Sequence, residues 1–261
     1  MKEIRKGLAS AELTEREEAI LQRLSAQGSV SVGELARDLE LSEVTIRGDL
    51  KALEGKGWIN RKWGGAASAL HRDILERQRA YTEQKHAIAK AAAELVKDGD
   101  VIMIEAGTTT ALIARYLSGK QDIHIVTNST LVFSAARMSP NLQITMTGGE
   151  FRRATESLVG TIALNTIARL NVRLAFVGTD GFTLERGMTT HLMEGAEIVK
   201  AMKGQAQTTV LAADSSKYGK FGFSNVLPLS AMNLIITDEG LAGQAQADLL
   251  EAGINITIAR S

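Results

Sequence analysis

The run Glu105-Ala106-Gly107-Thr108-Thr109-Thr110 combines a glycine with three consecutive hydroxyl side chains. It follows an apolar strand pattern and opens a helical one, so its backbone N–H groups are those of a helix N-terminus. The glycine permits a tight turn with close backbone approach. Such a junction suits a phosphate or another anion. Threonine is also a common N-cap residue, so the run taken alone favours a capped junction that binds no ligand.

Further polar segments follow other apolar runs of the sequence. They are Thr127–Ser129, Gly148–Arg153, Gly178–Gly181 and Asp214–Lys217. If these runs are strands of one parallel sheet, the segments lie at its carboxyl edge, where open sheets bind ligands. Several such loops on one edge favour a concave polar site over a single capped junction.

The elements that must position these loops begin after about residue 98, where apolar β-rich runs alternate with helical patterns. The predicted strands are Val101–Ile104, Ile123–Thr127, Leu142–Thr147, Val172–Val177, Thr208–Ala212, Leu234–Thr237 and Ile254–Ile258. The predicted helices are Glu83–Val96, Thr108–Leu117, Thr130–Arg137, Leu158–Leu170, Ala196–Lys203 and Leu241–Glu251. This alternation predicts an α/β fold, a parallel sheet with helices on both faces.

A second group of residues, near the N-terminus, has the charge to contact phosphates. Residues 12–43 hold 3 basic and 8 acidic side chains, whereas residues 44–63 hold 5 basic and 2 acidic ones. The whole chain balances 30 Lys and Arg against 30 Asp and Glu. Any nucleic-acid site must therefore be a local patch of this kind.

Three short helical patterns, joined by connections of a few residues, surround this basic patch. Thr14–Glu17 and Ser31–Glu34 match the capping box, and Ser42 precedes a third helical pattern that runs to Glu54. The basic, glycine-flanked segment Gly57–Gly65 follows and suits a β-hairpin. This order of elements predicts a winged helix-turn-helix.

The third helix of this unit has two chemically distinct faces. Ile46, Leu50 and Leu53 lie within about 60° of one another and must face the core. The opposite face, its N-terminal edge and the hairpin supply the candidate DNA-binding residues Ser42, Val44, Thr45, Arg47, Gly48, Lys51, Arg61 and Lys62. Because the start of such a helix enters the major groove, we expect double-stranded DNA to bind here. A small three-helix interaction module with solvated charges remains the alternative.

The composition excludes several other chemistries. The chain has 261 residues, 44% of them apolar and 23% charged, as in a folded globular protein. It has no cysteine, and its four histidines form no H-x-x-x-H pair, so we expect no metal and no cofactor. The first 25 residues lack an apolar core, and no uncharged apolar run approaches 18 residues. We therefore expect a cytoplasmic protein without a signal peptide or membrane segment.

The N-terminal spacing resembles the DeoR family of bacterial repressors of sugar catabolism. The matching run is Ser42-x-x-Thr45-Ile46-Arg47-x-Asp49-Leu50-x-x-Leu53-Glu54-x-x-Gly57-x-Ile59-x-Arg61-x-x-Gly64-Gly65-Ala66. Gly48 departs from the family, which usually has a polar or basic residue there. The polar loops extend the resemblance over nearly the whole chain. It implies a transcriptional repressor of a sugar or polyol operon that a phosphorylated sugar releases, and we also expect a homo-oligomer.

The same resemblance implies the fold of the second half and the effector site. Residues 12–66 are then the winged helix-turn-helix domain, 67–85 a linker, and 86–261 a Rossmann-like sensor domain similar to ribose-5-phosphate isomerase. Gly107, Thr108 and Thr109 are implied to hold the phosphate. The full set implied to bind the effector is Gly107, Thr108, Thr109, Thr110, Asn128, Gly149, Arg152, Asp180, Glu197 and Lys217. Asp180 also suits a turn before Gly181, and Lys217 a solvated surface position.

The alternative to a regulator is a sugar-phosphate isomerase with an accessory N-terminal domain, because one fold serves many functions. The isomerases that the sensor domain resembles have a catalytic lysine in a glycine-rich stretch. The corresponding segment here, Thr183–Gly187, has no lysine, so we expect no catalytic residues. A nucleotide-binding switch has no support, because neither G-x-x-x-x-G-K-[ST] nor G-x-G-x-x-G occurs.

Overall fold

The computed structural model of the chain describes residues 13–27, 29–55, 59–62, 64–68 and 72–260. The chain divides into two compact units, Met1–Glu76 and Arg77–Ser261. Each unit has its own cluster of buried apolar side chains. No helix in the described ranges is both long enough and apolar enough to cross a membrane.

The N-terminal unit is a winged helix-turn-helix, as the sequence predicts. Its helices are α1 (Glu15–Gln27), α2 (Val32–Asp38) and α3 (Glu43–Gly55), and its strands are β1 (Ser29–Ser31), β2 (Ile59–Lys62) and β3 (Gly65–Ser68). Strand β3 pairs antiparallel with both β1 and β2, and the β2–β3 hairpin is the wing. Residues 57, 58 and 63, which the sequence assigns to the wing hairpin, lie outside the described residues.

The first two helices begin with the capping boxes that the sequence predicts. Thr14 N donates to Glu17 Oε2 at 2.8 Å, and Glu17 N donates to the Thr14 hydroxyl at 3.2 Å. Ser31 and Glu34 make the same reciprocal pair before α2. These contacts satisfy N–H groups that the first helical turn leaves unpaired, and a side-chain cap typically contributes about 1 kcal/mol.

Helix α3 buries one face and exposes the other. Ile46, Leu50 and Leu53 are buried in the core of the N-terminal unit, as predicted. Asp49 is buried beside them, and its carboxylate accepts two hydrogen bonds from the Arg16 guanidinium of α1, at 2.9 and 3.1 Å. This bidentate pair sets the rotation of α3 against α1 and so fixes which side chains point outward.

The predicted linker is largely helical. It contains α4 (Arg72–Arg79) and the first residues of α5 (Thr82–Glu94). Helix α4 has two apolar side chains, Ile74 and Leu75, and both are buried. Two apolar residues make no recognisable stripe, which explains why composition indicates a linker here. Tyr81, between the helices, adopts a left-handed conformation with φ of 57°.

The C-terminal unit is α/β, with seven parallel strands in its main sheet. These strands are β4 (Val101–Ile104), β5 (Ile123–Thr127), β6 (Leu142–Met146), β9 (Val172–Val177), β12 (Ala206–Ala212), β14 (Leu234–Asp238) and β15 (Ile256–Ala259). Its helices after α5 are α6 (Thr108–Tyr116), α7 (Thr130–Ala136), α8 (Thr161–Ile167), α9 (Met193–Gln205) and α10 (Gly243–Glu251). Each of the seven predicted strands overlaps one of these, and the boundaries differ by at most two residues.

The helices of this unit form layers against the sheet. Helices α5, α6 and α7 pack side by side, and α8 packs beside α9. Met103, Val126 and Ala175 of the sheet pack against apolar side chains of α8 and α9. This is the layered arrangement that alternating strands and helices predict.

Five short strands of the C-terminal unit are not predicted from the sequence. They are β7 (Glu150–Arg152), β8 (Ser157–Val159), β10 (Gly181–Thr183), β11 (Gly187–Thr190) and β13 (Ser224–Asn225). Strands of two to four residues are too short to show a period-2 pattern. The predicted helix Leu158–Leu170 is accordingly shorter, because β8 pairs with β7 and the helix begins only at Thr161.

The order of strands in the sheet reverses between β4 and β9. The order is β15-β14-β12-β9-β4-β5-β6, so the chain builds outward from β4 on one side and from β9 on the other. The loops that leave the carboxyl ends of these two strands diverge and open a crevice. Open α/β sheets bind ligands at this position.

Gly48→Ala is expected to stabilise the N-terminal unit by roughly 0.5–1 kcal/mol, because glycine is a poor residue inside a helix. Gly48 is exposed on α3, and a Cβ there meets no atom within 4 Å. Urea denaturation of the full chain, followed by circular dichroism, measures the change. Gly65→Ala is the matched control, since its Cβ would lie 2.3 Å from the Val30 carbonyl oxygen and must destabilise. A loss of stability in Gly48→Ala would contradict the prediction.

Candidate functional site

The outward face of α3 presents the side chains that the sequence assigns to DNA. Ser42, Val44, Arg47, Gly48 and Lys51 are exposed, and Thr45 is half-buried. Val44 is 80% exposed, an unusual position for an apolar side chain without a partner. The Ser42 hydroxyl accepts a hydrogen bond from Thr45 N at 3.1 Å and so caps the helix.

Arg47 is the main cation of this face and has only a weak internal partner. Its guanidinium donates to Glu43 Oε2 at 3.0 Å, and both side chains are more than half exposed. Exposed pairs of this kind contribute little to stability, so a phosphate can compete for the arginine. Arg61 and Lys62 lie in wing strand β2, and their side chains lie outside the described part of the structure.

The crevice at the strand-order reversal is a polar pocket. Its walls come from the loops after β4, β9 and β12, together with residues of α4, α5 and the β11–α9 connection. Seven of the ten predicted effector-binding residues line it, namely Gly107, Thr108, Thr109, Thr110, Asn128, Asp180 and Lys217. The charged residues that line it are Arg77, Lys85, Glu105, Asp180, Asp214 and Lys217.

The loop after β4 brings the start of α6 to the pocket. The Thr110 hydroxyl donates to the Glu105 carbonyl oxygen at 2.7 Å and lies 3.2 Å from the Gly107 carbonyl oxygen, so it braces the loop. A Cβ on Gly107 would lie 2.8 Å from that hydroxyl, which explains the glycine. Thr108 and Thr109 line the pocket beside the unpaired N–H groups of the first helical turn.

Asn128 lines the pocket while its amide holds two loops together. Its Oδ1 accepts a hydrogen bond from Ala106 N at 3.0 Å, and its Nδ2 donates to the Leu158 carbonyl oxygen at 3.1 Å. The side chain is almost fully buried. Asn128 therefore positions the loop after β4, and any ligand contact adds to that role.

Asp180 is the most connected acidic group of the pocket. Its Oδ2 accepts hydrogen bonds from the Thr190 hydroxyl and from His191 N, both at 2.9 Å. Its Oδ1 lies 3.6 Å from a guanidinium nitrogen of Arg77. Asp180 thus joins the loop after β9 to the end of β11 and to α4, and it does more than form a turn.

Two buried ionisable groups of the pocket have shifted pKa values. Burial raises the pKa of Glu105 to about 8, although its carboxylate accepts a hydrogen bond from Gly178 N at 3.1 Å. Burial lowers the pKa of Lys85 to about 8, and the nearby Asp214 carboxylate opposes that shift. At pH 7 Glu105 is therefore mostly neutral and Lys85 mostly charged.

These two groups leave the pocket positive at neutral pH. Arg77, Lys85 and Lys217 supply three positive charges against the carboxylates of Asp180 and Asp214. Asp214 is buried and accepts a hydrogen bond from Ser216 Oγ. A positive pocket beside a helix N-terminus favours an anionic ligand.

Three of the predicted effector residues lie away from the pocket. Gly149 has φ of 119°, and a Cβ there would lie 2.4 Å from the Val159 carbonyl oxygen, so this glycine lets two strands approach. Arg152 pairs with Glu150 and Glu194. Glu197 is exposed on α9 and pairs with the adjacent Lys200. We leave these three out of the effector site.

Sequence reasoning missed Arg77, Lys85 and Glu105 as pocket residues. Arg77 and Lys85 fall in the segment that composition indicates is a linker, far along the chain from the polar loops. Glu105 ends an apolar strand, where an isolated carboxylate was a usable signal of a functional position. The position of Lys85 on the apolar side of a helical pattern was a second such signal.

Two family models match this chain, one in each half. The DeoR C terminal sensor domain matches residues 80–239, and the DeoR-like helix-turn-helix domain matches residues 16–72. Together these two matches span most of the chain.

Individual relatives align over nearly their whole lengths. The HTH-type transcriptional regulator GlpR of Haloferax volcanii is 35% identical over 246 residues, covering 93% of this chain and 96% of the relative. The lactose phosphotransferase system repressor of Streptococcus mutans is 34% identical over 234 residues, covering 86% and 91%.

Among solved structures, the ribose 5-phosphate isomerase A of Methanocaldococcus jannaschii is 20% identical, with a TM-score of 0.40. That alignment covers 53% of this chain and 55% of the isomerase. The two domain matches and the full-length relatives establish the family: the chain belongs to the DeoR family of transcriptional regulators.

Proposed function

We propose that the protein is a DNA-binding repressor of a sugar or polyol catabolic operon, and that a phosphorylated sugar releases it from its operator. One observation carries this proposal. The same chain has an exposed basic helix face and a positively charged pocket where the strand order of its sheet reverses. The relative from Streptococcus mutans is named as a repressor of a sugar phosphotransferase system, which supports the choice of a sugar operon.

In this proposal α3 enters the major groove of double-stranded DNA. Arg47 and Lys51 contact phosphates or base edges, and Ser42, Val44, Thr45 and Gly48 form the rest of the contact surface. Arg61 and Lys62 of the wing contact the backbone. Regulators with this motif commonly read two half-sites as dimers, so we propose that the chain acts as a homo-oligomer.

The effector binds in the pocket of the C-terminal unit. The first turn of α6, with Gly107, Thr108 and Thr109, receives the phosphate. Asp180 and Lys217 face the sugar hydroxyls, and Asn128 and Thr110 hold the loop in place. No metal or cofactor has a part in this scheme.

We propose that the pocket senses its ligand and does not convert it. Thr183–Gly187, the segment where the similar isomerases have a catalytic lysine, contains none and forms the turn between β10 and β11. Isomerisation of aldose phosphates by the purified protein is the runner-up activity, and its detection would contradict a purely regulatory role.

Arg47→Ala is expected to weaken binding to DNA selected with the wild-type protein from a random-sequence pool. Loss of one base contact costs roughly 1–3 kcal/mol, which is about 5- to 150-fold in affinity. Gel shifts at fixed salt measure it. Arg23→Ala is the matched control, because Arg23 is a similarly exposed arginine paired with Asp38 on another helix. Equal affinities of both variants and wild type would refute docking through α3.

Thr109→Ala is expected to weaken binding of the phosphorylated effector by about 1.5–3 kcal/mol, since a hydrogen bond to a charged group contributes about this much. Thr109 is buried at the first turn of α6 and lines the pocket. The effector is chosen by thermal shift from aldose, ketose and polyol phosphates, and its release of DNA is then titrated. Thr166→Ala, on the exposed side of α8, is the matched control. A wild type released equally well by the unphosphorylated sugar would rule out the phosphate site.

Effector affinity is expected to fall as the pH rises from 7 to 9. Over this range Glu105 gains a negative charge and Lys85 loses its positive one, since both pKa values are about 8. A bound phosphate raises both pKa values, so the effector binds most tightly below pH 8. If the phosphate raises one of these pKa values by 1, the affinity below that pKa is about tenfold higher. Calorimetry at several pH values measures the slope. Glu105→Gln removes one of the two titrating groups and must make the affinity less dependent on pH. An unchanged slope would contradict the role of Glu105 in this dependence.

A further inference from the structure

Lys85, which lines the pocket, and Thr82 hold the last turn of α4 together with the residue that follows it, residues 77–80. Lys85 Nζ donates to the carbonyl oxygen of Ala80 at 2.6 Å and also to that of Arg77. The Thr82 hydroxyl donates to the carbonyl oxygen of Arg79 at 3.0 Å. These carbonyls belong to the end of a helix, where the backbone supplies no partners. Lys85 therefore caps α4 from inside the pocket.

The side chain of Arg77 ties the same turn to two loops at the pocket. One guanidinium nitrogen donates to the Ala154 carbonyl oxygen at 3.0 Å, and another lies 3.6 Å from Asp180 Oδ1. The other Asp180 oxygen is fixed by Thr190 and His191, so the carboxylate cannot follow the arginine if the arginine moves.

The contact between Arg77 and Asp180 is weak enough for a ligand to break. Its 3.6 Å separation is long for an ion pair, and the Arg77 side chain is 36% exposed. Partly exposed pairs of this kind contribute little to stability. An anion in the pocket meets Arg77 and Lys85 directly, because both line it.

A second arginine of the same unit shows what a purely structural brace looks like. Arg173 Nε donates to Asp100 Oδ1 at 2.6 Å, and the guanidinium also donates to the Leu95 carbonyl oxygen at 2.7 Å, beyond the end of α5. This arginine likewise combines a carboxylate with a helix-end carbonyl, yet it is not among the pocket residues. Of these two arrangements, that of Arg77 places a helix end beside the pocket.

We propose that the Arg77–Asp180 pair and the Lys85 cap couple the pocket to the DNA-binding unit through α4. Without effector they hold the last turn of α4. An anionic effector takes Arg77 and Lys85 as its counter-ions and releases that turn. Because α4 carries the chain across the boundary between the units, its release lowers DNA affinity. This inference rests on the proposed repressor function and names its regulatory contact.

The coupling is tested on the full chain with Arg77→Gln, Asp180→Asn, the double variant and Arg173→Gln. Without any ligand, hydrogen exchange of residues 77–82 and affinity for the selected DNA are measured. Arg77→Gln and Asp180→Asn are each expected to speed exchange and to weaken DNA binding by roughly threefold or more. The double variant should resemble each single variant, because both single substitutions remove the same contact between Arg77 and Asp180. Arg173→Gln should lower the melting temperature and leave DNA affinity at the wild-type value.

Inorganic phosphate at millimolar concentration provides a ligand arm. It should speed exchange of residues 77–82 in the wild type and have little effect in Arg77→Gln. If the variants exchange faster but keep the wild-type affinity for DNA, the coupling is overturned and the contact has only a structural role. Unchanged exchange and unchanged affinity would overturn it as well. A wild type that selects no DNA refutes the proposed function instead, and the exchange data then still decide whether the pocket controls the turn.

Discussion

The parallel pairing of β4 with β9 is the constraint on which the sensor unit depends. It joins strands that are distant in the chain, at the point where the order of the sheet reverses. The loops that follow therefore start side by side at the carboxyl edge of the sheet, and Glu105, Asp180 and the first turn of α6 line the crevice that opens between them. Their nearness follows from backbone hydrogen bonding in the sheet, so loop sequences can change without dispersing the site.

Burial then determines the chemistry of that crevice. Glu105 and Lys85 leave water without pairing with one another, and burial moves the pKa of each toward its neutral form. A solvated pocket with the same residues would carry equal numbers of positive and negative charges. Here desolvation favours the neutral acid at pH 7, and the pocket keeps a net positive charge. The Lys85 ammonium still finds two backbone carbonyls, which offsets part of the cost of its burial.

Much of the fold was predictable from the sequence, because its long elements have clear periodicity. The strands of the main sheet, the capping boxes and the buried face of α3 follow from local patterns. Of the proposed site, the glycine–threonine loop and Asp180 were recognisable from their types and spacing. Arg77 and Lys85 were not, since only tertiary packing brings α4 and α5 to the pocket. Gly149 does not line the pocket, and a Cβ there would lie 2.4 Å from the Val159 carbonyl oxygen, so a close strand already accounts for this glycine.

The open space around Gly48 has a consequence for how this protein can diverge. A Cβ at that position meets no atom within 4 Å in the described structure, and helix propensity improves with almost any replacement. The Arg16–Asp49 pair and the buried leucines lie on the other face and fix the helix independently. New side chains can thus be sampled on the exposed face of α3 without any need for compensating changes in the core. With α3 in the major groove, as proposed, a duplicated copy of the gene has at this one position a short mutational route to a different target sequence.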